Sequence, residues 1–336
     1  MTTPSISTTE LYKHIHILIQ TDTPLFIHGS PGIGKSYIVA DVAQTNGLEL
    51  VDVRLSQMDP VDLRGVPSIK NEQTVWMPPV FFPKESDSEG ILFLDELNAA
   101  PPSVQAAIYQ LVLNRQMGEY ILPKGWRIIC AGNRISDRGV VFRLPTPLAN
   151  RMVHLHVQAR FDDFKLFALK ANLHHFVIGF LGFRPDLLST DPVVEDDANP
   201  AFATPRSYHM LSNILKATQD LSSITSIVYG TIGYSAGIEF VSYVKVYEEL
   251  PDIAAIYEGH YPKIVNQPAM LYAMVSALVE YYQGSDTQKE HLFAFSQLLP
   301  TEFGVMLIKD VIVKDESLAT HLLFDTWLEK YGDYII

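Results

Sequence analysis

The stretch Gly29-Ser30-Pro31-Gly32-Ile33-Gly34-Lys35-Ser36 decides the fold, because it has the form G-x-x-x-x-G-K-S. It follows a short apolar run, Pro24-Leu25-Phe26-Ile27-His28, and precedes apolar residues at helical spacing in Tyr37-Ile38-Val39-Ala40-Asp41-Val42-Ala43. This order predicts a buried strand, a glycine-rich loop and a helix. Glycines let the backbone N–H groups of such a loop converge on phosphate oxygens, and the start of the helix adds further donors. A glycine–proline turn before an ordinary helix is the alternative, and the flanking strand and helix patterns argue against it.

The side chains of this loop predict a site for a nucleoside triphosphate. Lys35 is expected to reach the β- and γ-phosphates, and the hydroxyl of Ser36 to bind Mg²⁺. The predicted nucleotide-binding residues are Gly29, Ser30, Pro31, Gly32, Ile33, Gly34, Lys35, Ser36 and Tyr37.

The composition narrows the class of protein. The chain has 336 residues, enough for two domains, and its hydrophobic content of 47% supports a large core. Its net charge of -13 argues against nucleic acid as the main partner. The single cysteine, Cys130, excludes a disulfide within the chain and fits a reducing cytosol. The first ten residues do not resemble a secretory signal, and no run of about 18 apolar residues predicts a membrane span.

A second motif, Gly90-Ile91-Leu92-Phe93-Leu94-Asp95-Glu96, predicts a buried parallel strand that delivers two carboxylates at its end. Ligands of open α/β sheets bind at that end of the strands. Asp95 is expected to hold Mg²⁺, and Glu96 to activate the attacking water as a general base. A strand followed by an acidic helix cap is the alternative, which the phosphate loop upstream makes less plausible.

Two segments are too long and too irregular to be simple connections between elements of the sheet. Residues 56–83 are rich in proline and carry short extended pieces around Val66–Lys70 and Thr74–Met77. Residues 119–129 predict a β-hairpin, whose second arm continues to Asn133. Asn133 stands at the end of a buried strand, where it could orient the hydrolytic water, although a turn-forming asparagine is the ordinary interpretation.

The rest of the chain carries weaker signals. His154 and His156 lie on one face of a predicted strand, but no Cys or second His pair accompanies them, so we do not expect a metal there. From Phe161 onward the pattern is helical, apart from a loop over residues 186–203. Thr204 is expected to cap a helix that begins with Pro205. Arg206 in its first turn opposes the helix dipole, which indicates a functional demand for the charge.

Together these motifs resemble the AAA+ ATPases, and among them the MoxR-like helix-2-insert group. Residues 56–83 lie where that group carries an extra hairpin, and Asp62-Leu63-Arg64-Gly65 and Asp95-Glu96-Leu97-Asn98 look like its segments. The resemblance covers about residues 5–218. It implies a P-loop NTPase core, an α/β domain with a parallel sheet, over residues 1–158. An all-α lid and a C-terminal helical region would follow over residues 159–336.

The resemblance also implies roles for single residues. Asn133 is similar to the first sensor of the family, Arg206 to the second sensor in the lid, and Arg151 to the arginine finger. The family usually has Asp-Arg-Phe at the finger, whereas this chain has Asn150-Arg151-Met152. Arg143 therefore stays a competing candidate for the finger, and the weaker candidates are Arg138 and Arg134.

The function implied by the resemblance is hydrolysis of ATP with Mg²⁺ by a homo-oligomeric, hexameric ring that remodels a protein client as a chaperone does. Clients in this group are often von Willebrand factor A-domain proteins. Residues 56–83 and 119–129 would face the pore or the client, with Trp76 and Tyr120 as contacts, unless Trp76 is buried.

A DNA-directed motor is the main alternative function, which the acidic composition disfavours. A nucleotide-gated scaffold is a third, which Glu96 and Asn133 disfavour. We expect a cytoplasmic location and no membrane partner.

Overall fold

The computed structural model describes residues 4–134, 137, 141–190, 200–218 and 222–334. The chain divides into two compact units, Met1–Ala159 and Arg160–Ile336, which we call the first and the second unit. Arg138 and residues 191–199, half of the loop predicted over residues 186–203, lie outside the described residues.

The described part of the first unit contains strands of a central sheet and of two small hairpins. They are β1 (Ser5–Ile6), β2 (Leu25–His28), β3 (Glu49–Arg54), β4 (Val66–Lys70), β5 (Gln73–Met77), β6 (Glu89–Asp95), β7 (Gln116–Met117), β8 (Tyr120–Ile121), β9 (Gly125–Gly132) and β10 (Val153–Val157). The central sheet has the order β1-β10-β2-β9-β6-β3. Each of its neighbouring pairs is parallel, so the carboxyl ends of all these strands lie along one edge.

Helices cover both faces of this sheet. They are α1 (Thr8–Leu18), α2 (Lys35–Thr45), α3 (Pro60–Arg64), α4 (Pro102–Asn114) and α5 (Thr146–Ala149). Because successive strand residues point to opposite faces, the apolar strands feed two cores. Phe26, Leu92 and Cys130 pack in the core that includes α4. The core on the other face includes α1 and α2 and is lined by Leu25, Ile27, Ile91, Phe93, Ile129 and Ala131. The predicted α/β class with a parallel sheet is confirmed.

Within residues 56–83, strands β4 and β5 form an antiparallel hairpin. Its two turn residues, Asn71 and Glu72, have φ values of 51° and 61°. A turn with two left-handed residues matches the twist of the flanking strands and favours asparagine at its first position. The side chains on the hairpin stay largely in solvent, with Ile69 84% exposed and Trp76 38% exposed. Trp76 is therefore not buried, contrary to the alternative considered above.

The hairpin predicted over residues 119–129 is wrong in its pairing. Tyr120–Ile121 pairs with Gln116–Met117 and not with the segment that follows. Gly125–Gly132 instead lies between β2 and β6 in the central sheet. The physical reason is burial: an apolar run such as Ile128–Ala131 gains more inside the sheet than in an exposed hairpin.

The second unit is helical in the residues described. Its helices are α6 (Phe161–Lys170), α7 (His175–Phe183), α8 (Pro205–Ala217), α9 (Thr225–Ile232), α10 (Tyr234–Val244), α11 (Ile253–Tyr257), α12 (Pro268–Tyr281), α13 (Asp286–Ser296), α14 (Thr301–Lys314) and α15 (Leu322–Tyr331). Helix α8 starts as expected, with the Thr204 side chain accepting from the backbone N–H of Ser207 and Pro205 in the first position. Among the described residues, no helix is long and apolar enough to cross a membrane.

Candidate functional site

The phosphate loop joins the carboxyl end of β2 to helix α2. Gly34 precedes α2 with a φ of 97°, a left-handed conformation that costs glycine little. No described side chain caps the start of α2. A helix start of this kind presents backbone N–H groups and a positive dipole end, which together favour an anion.

Lys35 is held inside the loop and is only 8% exposed. Its Nζ donates to the backbone oxygens of Gly29 at 2.6 Å and Ser30 at 3.1 Å. The same Nζ lies 3.3 Å from Oδ1 of Asn133, at the end of β9. The lysine therefore connects the phosphate loop with the strand end that carries the predicted sensor.

Ser36 and Asp95 lie side by side, although they are far apart in the chain. Oγ of Ser36 donates to Oδ2 of Asp95 at 2.9 Å. A hydroxyl and a carboxylate are hard oxygen donors, which Mg²⁺ prefers. These two residues are therefore fit to hold the ion together with nucleotide phosphates.

The charge at this edge also suits a divalent cation. Partial burial and the nearby carboxylates Asp95 and Glu96 raise the pKa of Asp52, against the opposite effect of Arg54. Burial contributes most to this rise, and the carboxylates add to it because like charges disfavour each other's ionised form. A cation bound there would relieve the repulsion.

Glu96 follows the end of β6 in an unusual backbone conformation, with a φ of 58°. Its backbone N–H donates to Oδ1 of Asp95 at 2.8 Å. One oxygen of its half-buried carboxylate accepts a hydrogen bond from the hydroxyl of Ser56, at the start of the insert. Ser56 was not predicted as a site residue, and only its position at the beginning of residues 56–83 could have drawn attention to it.

Asn133 lies beside the same edge, and a neighbouring asparagine holds its backbone. Nδ2 of Asn98 donates to the backbone oxygen of Asn133 at 2.7 Å. Asn98 belongs to the Asp95-Glu96-Leu97-Asn98 segment, so its presence was noted in the sequence, but its contact with Asn133 was not foreseen.

The phosphate loop has one further carboxylate contact. Oγ of Ser30 donates to Oδ1 of Asp137 at 2.9 Å, while Oδ2 of Asp137 accepts from the backbone N–H of Arg134 at 2.7 Å. Asp137 thus bridges the loop and the chain after β9. The sequence carried no signal for this role.

The paired strands β2 and β10 bring histidines together next to the loop. Nε2 of His28 lies 2.9 Å from Nδ1 of His154, and Nε2 of His154 lies 2.8 Å from the backbone oxygen of Ala149. A carbonyl can only accept, so neutral His154 donates to Ala149 and accepts from His28. The rings of His28 and His156 stack at 4.4 Å. No group of three or more His, Cys, Asp or Glu side chains among the described residues is arranged to hold a metal.

This environment keeps His28 neutral. Burial lowers the pKa of His28 to about 3, with smaller contributions from His156, His154, Arg134 and Lys35. The histidine next to the phosphate loop is therefore uncharged at neutral pH.

The predicted arginines differ in their surroundings. Arg151 and Arg143 are exposed. The guanidinium of Arg134 instead donates to the backbone oxygen of Val157 inside the first unit. Arg206 is an exposed residue of α8 in the second unit. The internal contact makes Arg134 a poor finger.

Arg151 lies at the opposite edge of the sheet from the phosphate loop. It precedes β10, whereas the loop follows β2, and these two strands are parallel. At about 3.3 Å per residue, β2 separates the two edges by on the order of 13 Å. Arg151 is therefore placed away from the phosphate loop of its own chain.

Five of the predicted residues meet at one edge of the sheet. They are linked directly or by one neighbour, and they are Lys35, Ser36, Asp95, Glu96 and Asn133. Tyr37, which was predicted to bind nucleotide, is 59% exposed on α2. The left-handed Gly34, the uncapped helix start and the Ser36–Asp95 pair fit a nucleotide with Mg²⁺.

Residues 24–152 match the family model for the AAA domain of the dynein-related subfamily. The chain is 31% identical to midasin from Giardia intestinalis over 142 residues, which cover 40% of this chain and 3% of that protein. It is 26% identical to midasin from Dictyostelium discoideum over 153 residues, which cover 41% of this chain and 2% of that protein. The chain thus spans a very small part of the length of these relatives.

The similar solved structures have lower sequence identity to this chain than the two midasins have. A RuvB mutant from Thermotoga maritima is 15% identical with a TM-score of 0.40, covering 80% of this chain and 81% of that chain. NtrX from Brucella abortus is 15% identical with a TM-score of 0.36, covering 99% of this chain and 69% of that chain. These TM-scores are too low to support an argument from shared structure. The match to the family model, residues 24–152, includes the five clustered residues and Arg151 but does not extend to Arg206.

Proposed function

We propose that this chain, whose residues 24–152 match an AAA domain, binds ATP with Mg²⁺ and hydrolyses it to ADP and phosphate. One observation carries the proposal. The phosphate-loop lysine, a hydroxyl–carboxylate pair, a second carboxylate and an asparagine converge at the carboxyl edge of one parallel sheet. Each of these groups has a task in phosphoryl transfer to water.

The residues divide the work between binding and chemistry. Mg²⁺, when bound, neutralises charge on the phosphate oxygens. Lys35 and the loop backbone bind the phosphates, and Ser36 and Asp95 hold the ion. Glu96 accepts the proton of the attacking water, for which its carboxylate must release or share the hydrogen bond from Ser56. Asn133 orients the water or the terminal phosphate.

A Glu96→Gln substitution tests the hydrolytic part. It removes the general base but keeps the size of the side chain and leaves Lys35 and the loop intact. We expect turnover to fall by roughly 10²-fold or more, with ATP affinity near that of the wild type. Turnover within threefold of the wild type would contradict the role of Glu96.

Lys35→Ala provides the contrast in the same assay. The substitution removes the charge that the phosphates contact, so ATP binding should weaken together with turnover. Equilibrium binding of a fluorescent ATP analogue separates the two variants. Normal binding by Lys35→Ala would show that the glycine loop has another role.

The finer assignments extend this proposal. We propose a MoxR-like protein that works as a homo-oligomeric, hexameric ring, in which Arg151 enters the site of the neighbouring subunit and Arg206 acts as a sensor. The exposed hairpin β4–β5, at the place of that group's insert, supports this assignment. A net charge of -13 favours a protein client over nucleic acid. A von Willebrand factor A-domain protein is proposed as the client from the resemblance alone.

A further inference from the structure

Asn98 lies in the turn that begins with the catalytic Glu96. The turn follows the edge of the sheet, because Leu97 donates its backbone N–H to the oxygen of Ala131 at 3.0 Å. The backbone oxygen of Glu96 accepts from Ala99 at 2.9 Å. Asn98 is thereby carried inward and is only 5% exposed.

The side chain of Asn98 has one partner and a defined orientation. Its Nδ2 donates to the backbone oxygen of Asn133 at 2.7 Å. Rotating the amide by half a turn would place Oδ1 against that oxygen, and two acceptors repel each other at such a distance. Oδ1 is buried and has no hydrogen-bond partner among the described residues. The amide is thus fixed by its contact with Asn133.

Gly132 makes this contact possible. A Cβ atom at position 132 would overlap Oδ1 of Asn98, so a larger residue would push the amide away from Asn133. Burying Oδ1 of Asn98 costs stability, because this oxygen loses its hydrogen bonds to water on folding and gains no donor in return. Holding the backbone of Asn133 is the one hydrogen bond that this side chain makes in the described structure.

The same residue touches three parts of the site. Through Asn133 it reaches Lys35, since Oδ1 of Asn133 lies 3.3 Å from Nζ of Lys35. Its own backbone oxygen accepts from the N–H of Phe142 at 2.6 Å, next to Arg143. Asn98 therefore joins the Glu96 turn, the end of β9 and the segment that leads to the candidate arginines.

We infer that Asn98 is a positioning residue for ATP hydrolysis. Its side chain fixes the backbone of Asn133 relative to Glu96. The side-chain amide of Asn133 and the carboxylate of Glu96 can then act on the same water molecule and terminal phosphate. Asn98 acts through Asn133 and does not touch the nucleotide. This inference rests on the proposed hydrolysis of ATP.

The test is a double-mutant cycle with Asn98→Ala and Asn133→Ala. Asn133→Ala removes the sensor amide but keeps the backbone oxygen that Asn98 contacts. If Asn98 acts through the sensor amide, Asn98→Ala lowers kcat by about 10-fold or more in the wild type and by less than twofold in the Asn133→Ala background. The dissociation constant for ATP should stay within threefold of the wild type. Losses that multiply in the double variant would overturn the inference.

A matched control separates positioning from stability. Gln105 is 2% exposed, and its Nε2 donates to the backbone oxygen of Ala100 at 3.0 Å and not to that of Asn133. Gln105→Ala should lower the unfolding temperature but leave kcat within twofold, and its effects should combine additively with Asn133→Ala. A loss of kcat in Gln105→Ala as large as in Asn98→Ala would count against a specific role for Asn98.

A second variant serves if Asn98→Ala does not fold. Asn98→Asp keeps the size of the side chain and removes the donor, and it should show the same dependence on Asn133. If the wild-type protein does not hydrolyse ATP, both the proposed ATPase activity and the positioning role of Asn98 are overturned. Turnover that Glu96→Gln abolishes, but that the Asn98 variants leave unchanged, would overturn the positioning alone.

Discussion

At the scale of single residues, neutral His28 links protonation to stability. Its pKa is lowered to about 3 by burial and by nearby His and cationic groups, whereas an unfolded chain has the ordinary value near 6.5. Below pH 6.5 the unfolded state therefore binds a proton that the folded state does not. The contribution of His28 is fully present above that pH and is lost progressively as the pH falls toward 3.

We therefore expect His28→Gln to flatten the acid side of the stability profile. Between pH 7 and 5, the free energy of unfolding of the first unit should fall less steeply in the variant than in the wild type. Urea unfolding followed by the fluorescence of Trp76 and Trp126, in a Trp327→Phe background that removes the tryptophan of the second unit, measures this. His209→Gln, an exposed site in the second unit, should leave the profile unchanged. Equal slopes for His28→Gln and the wild type would refute the prediction.

The sequence identified those site residues whose tasks follow from local patterns. The phosphate loop and the strand that ends in Asp95 and Glu96 each carry their own chemical signature, and the structure places them together. The contacts of Glu96 with Ser56 and of Asn133 with Asn98 depend on which strand lies beside which. Spacing along the chain does not encode that information.

At the scale of elements, long apolar segments were predicted well and short ones less well. The buried parallel strand predicted within residues 90–96 is β6, which is parallel to both of its neighbours in the sheet. The prediction over residues 119–129 paired the wrong segments, because both segments have the sequence pattern of a strand. Only burial decides that the second segment enters the central sheet. Helix α4 ends at Asn114, and Arg115 follows it with a left-handed φ of 56° while its guanidinium donates to the backbone oxygens of Pro123 and Trp126.

The hairpin β4–β5 should contact the partner of the proposed remodeller. Ile69 and Trp76 expose apolar surface without supporting a core, so a change to Ser should alter stability by no more than about 0.5 kcal/mol. We expect the double variant Ile69→Ser/Trp76→Ser to keep basal ATPase within twofold. In affinity capture with a Glu96→Gln chain, it should lose the captured partner.

Tyr120 provides the structural contrast to Trp76. Its ring stacks on Phe82 at 4.7 Å, and its hydroxyl donates to the backbone oxygen of Pro83 at 2.9 Å. Tyr120→Phe should therefore retain the partner at the cost of some stability. Capture that survives the double variant but fails with Tyr120→Phe would assign the contact to the other hairpin.

At the scale of the whole molecule, the role proposed for Arg151 predicts that activity depends on assembly. Its place at the edge of the sheet opposite the phosphate loop disfavours action within its own subunit. We expect Arg151→Ala to bind ATP but to lose hydrolysis on the scale of about 10³-fold, as is usual when an arginine finger is removed. Turnover per subunit of the wild type should rise with protein concentration.

Mixing two inactive variants tests this directly. Lys35→Ala subunits supply the finger, and Arg151→Ala subunits supply an intact nucleotide site, so the mixture should recover part of the activity. Mixing Lys35→Ala with Arg143→Ala distinguishes the competing arginine, since recovery there alone would move the role to Arg143. Full turnover by a dilute monomer, or co-assembly without recovery, would contradict a finger at Arg151.

The single thiol of the chain has a practical consequence. Cys130 is fully buried in β9, between β2 and β6, and burial raises the pKa of its thiol. A maleimide reagent can therefore modify the native chain only after the central sheet has opened, so the labelling rate reports how often the sheet opens. Ligands that bind the folded first unit should lower the labelling rate in proportion to their occupancy. A cysteine introduced on the surface would also carry a fluorescent reporter without removal of the natural one.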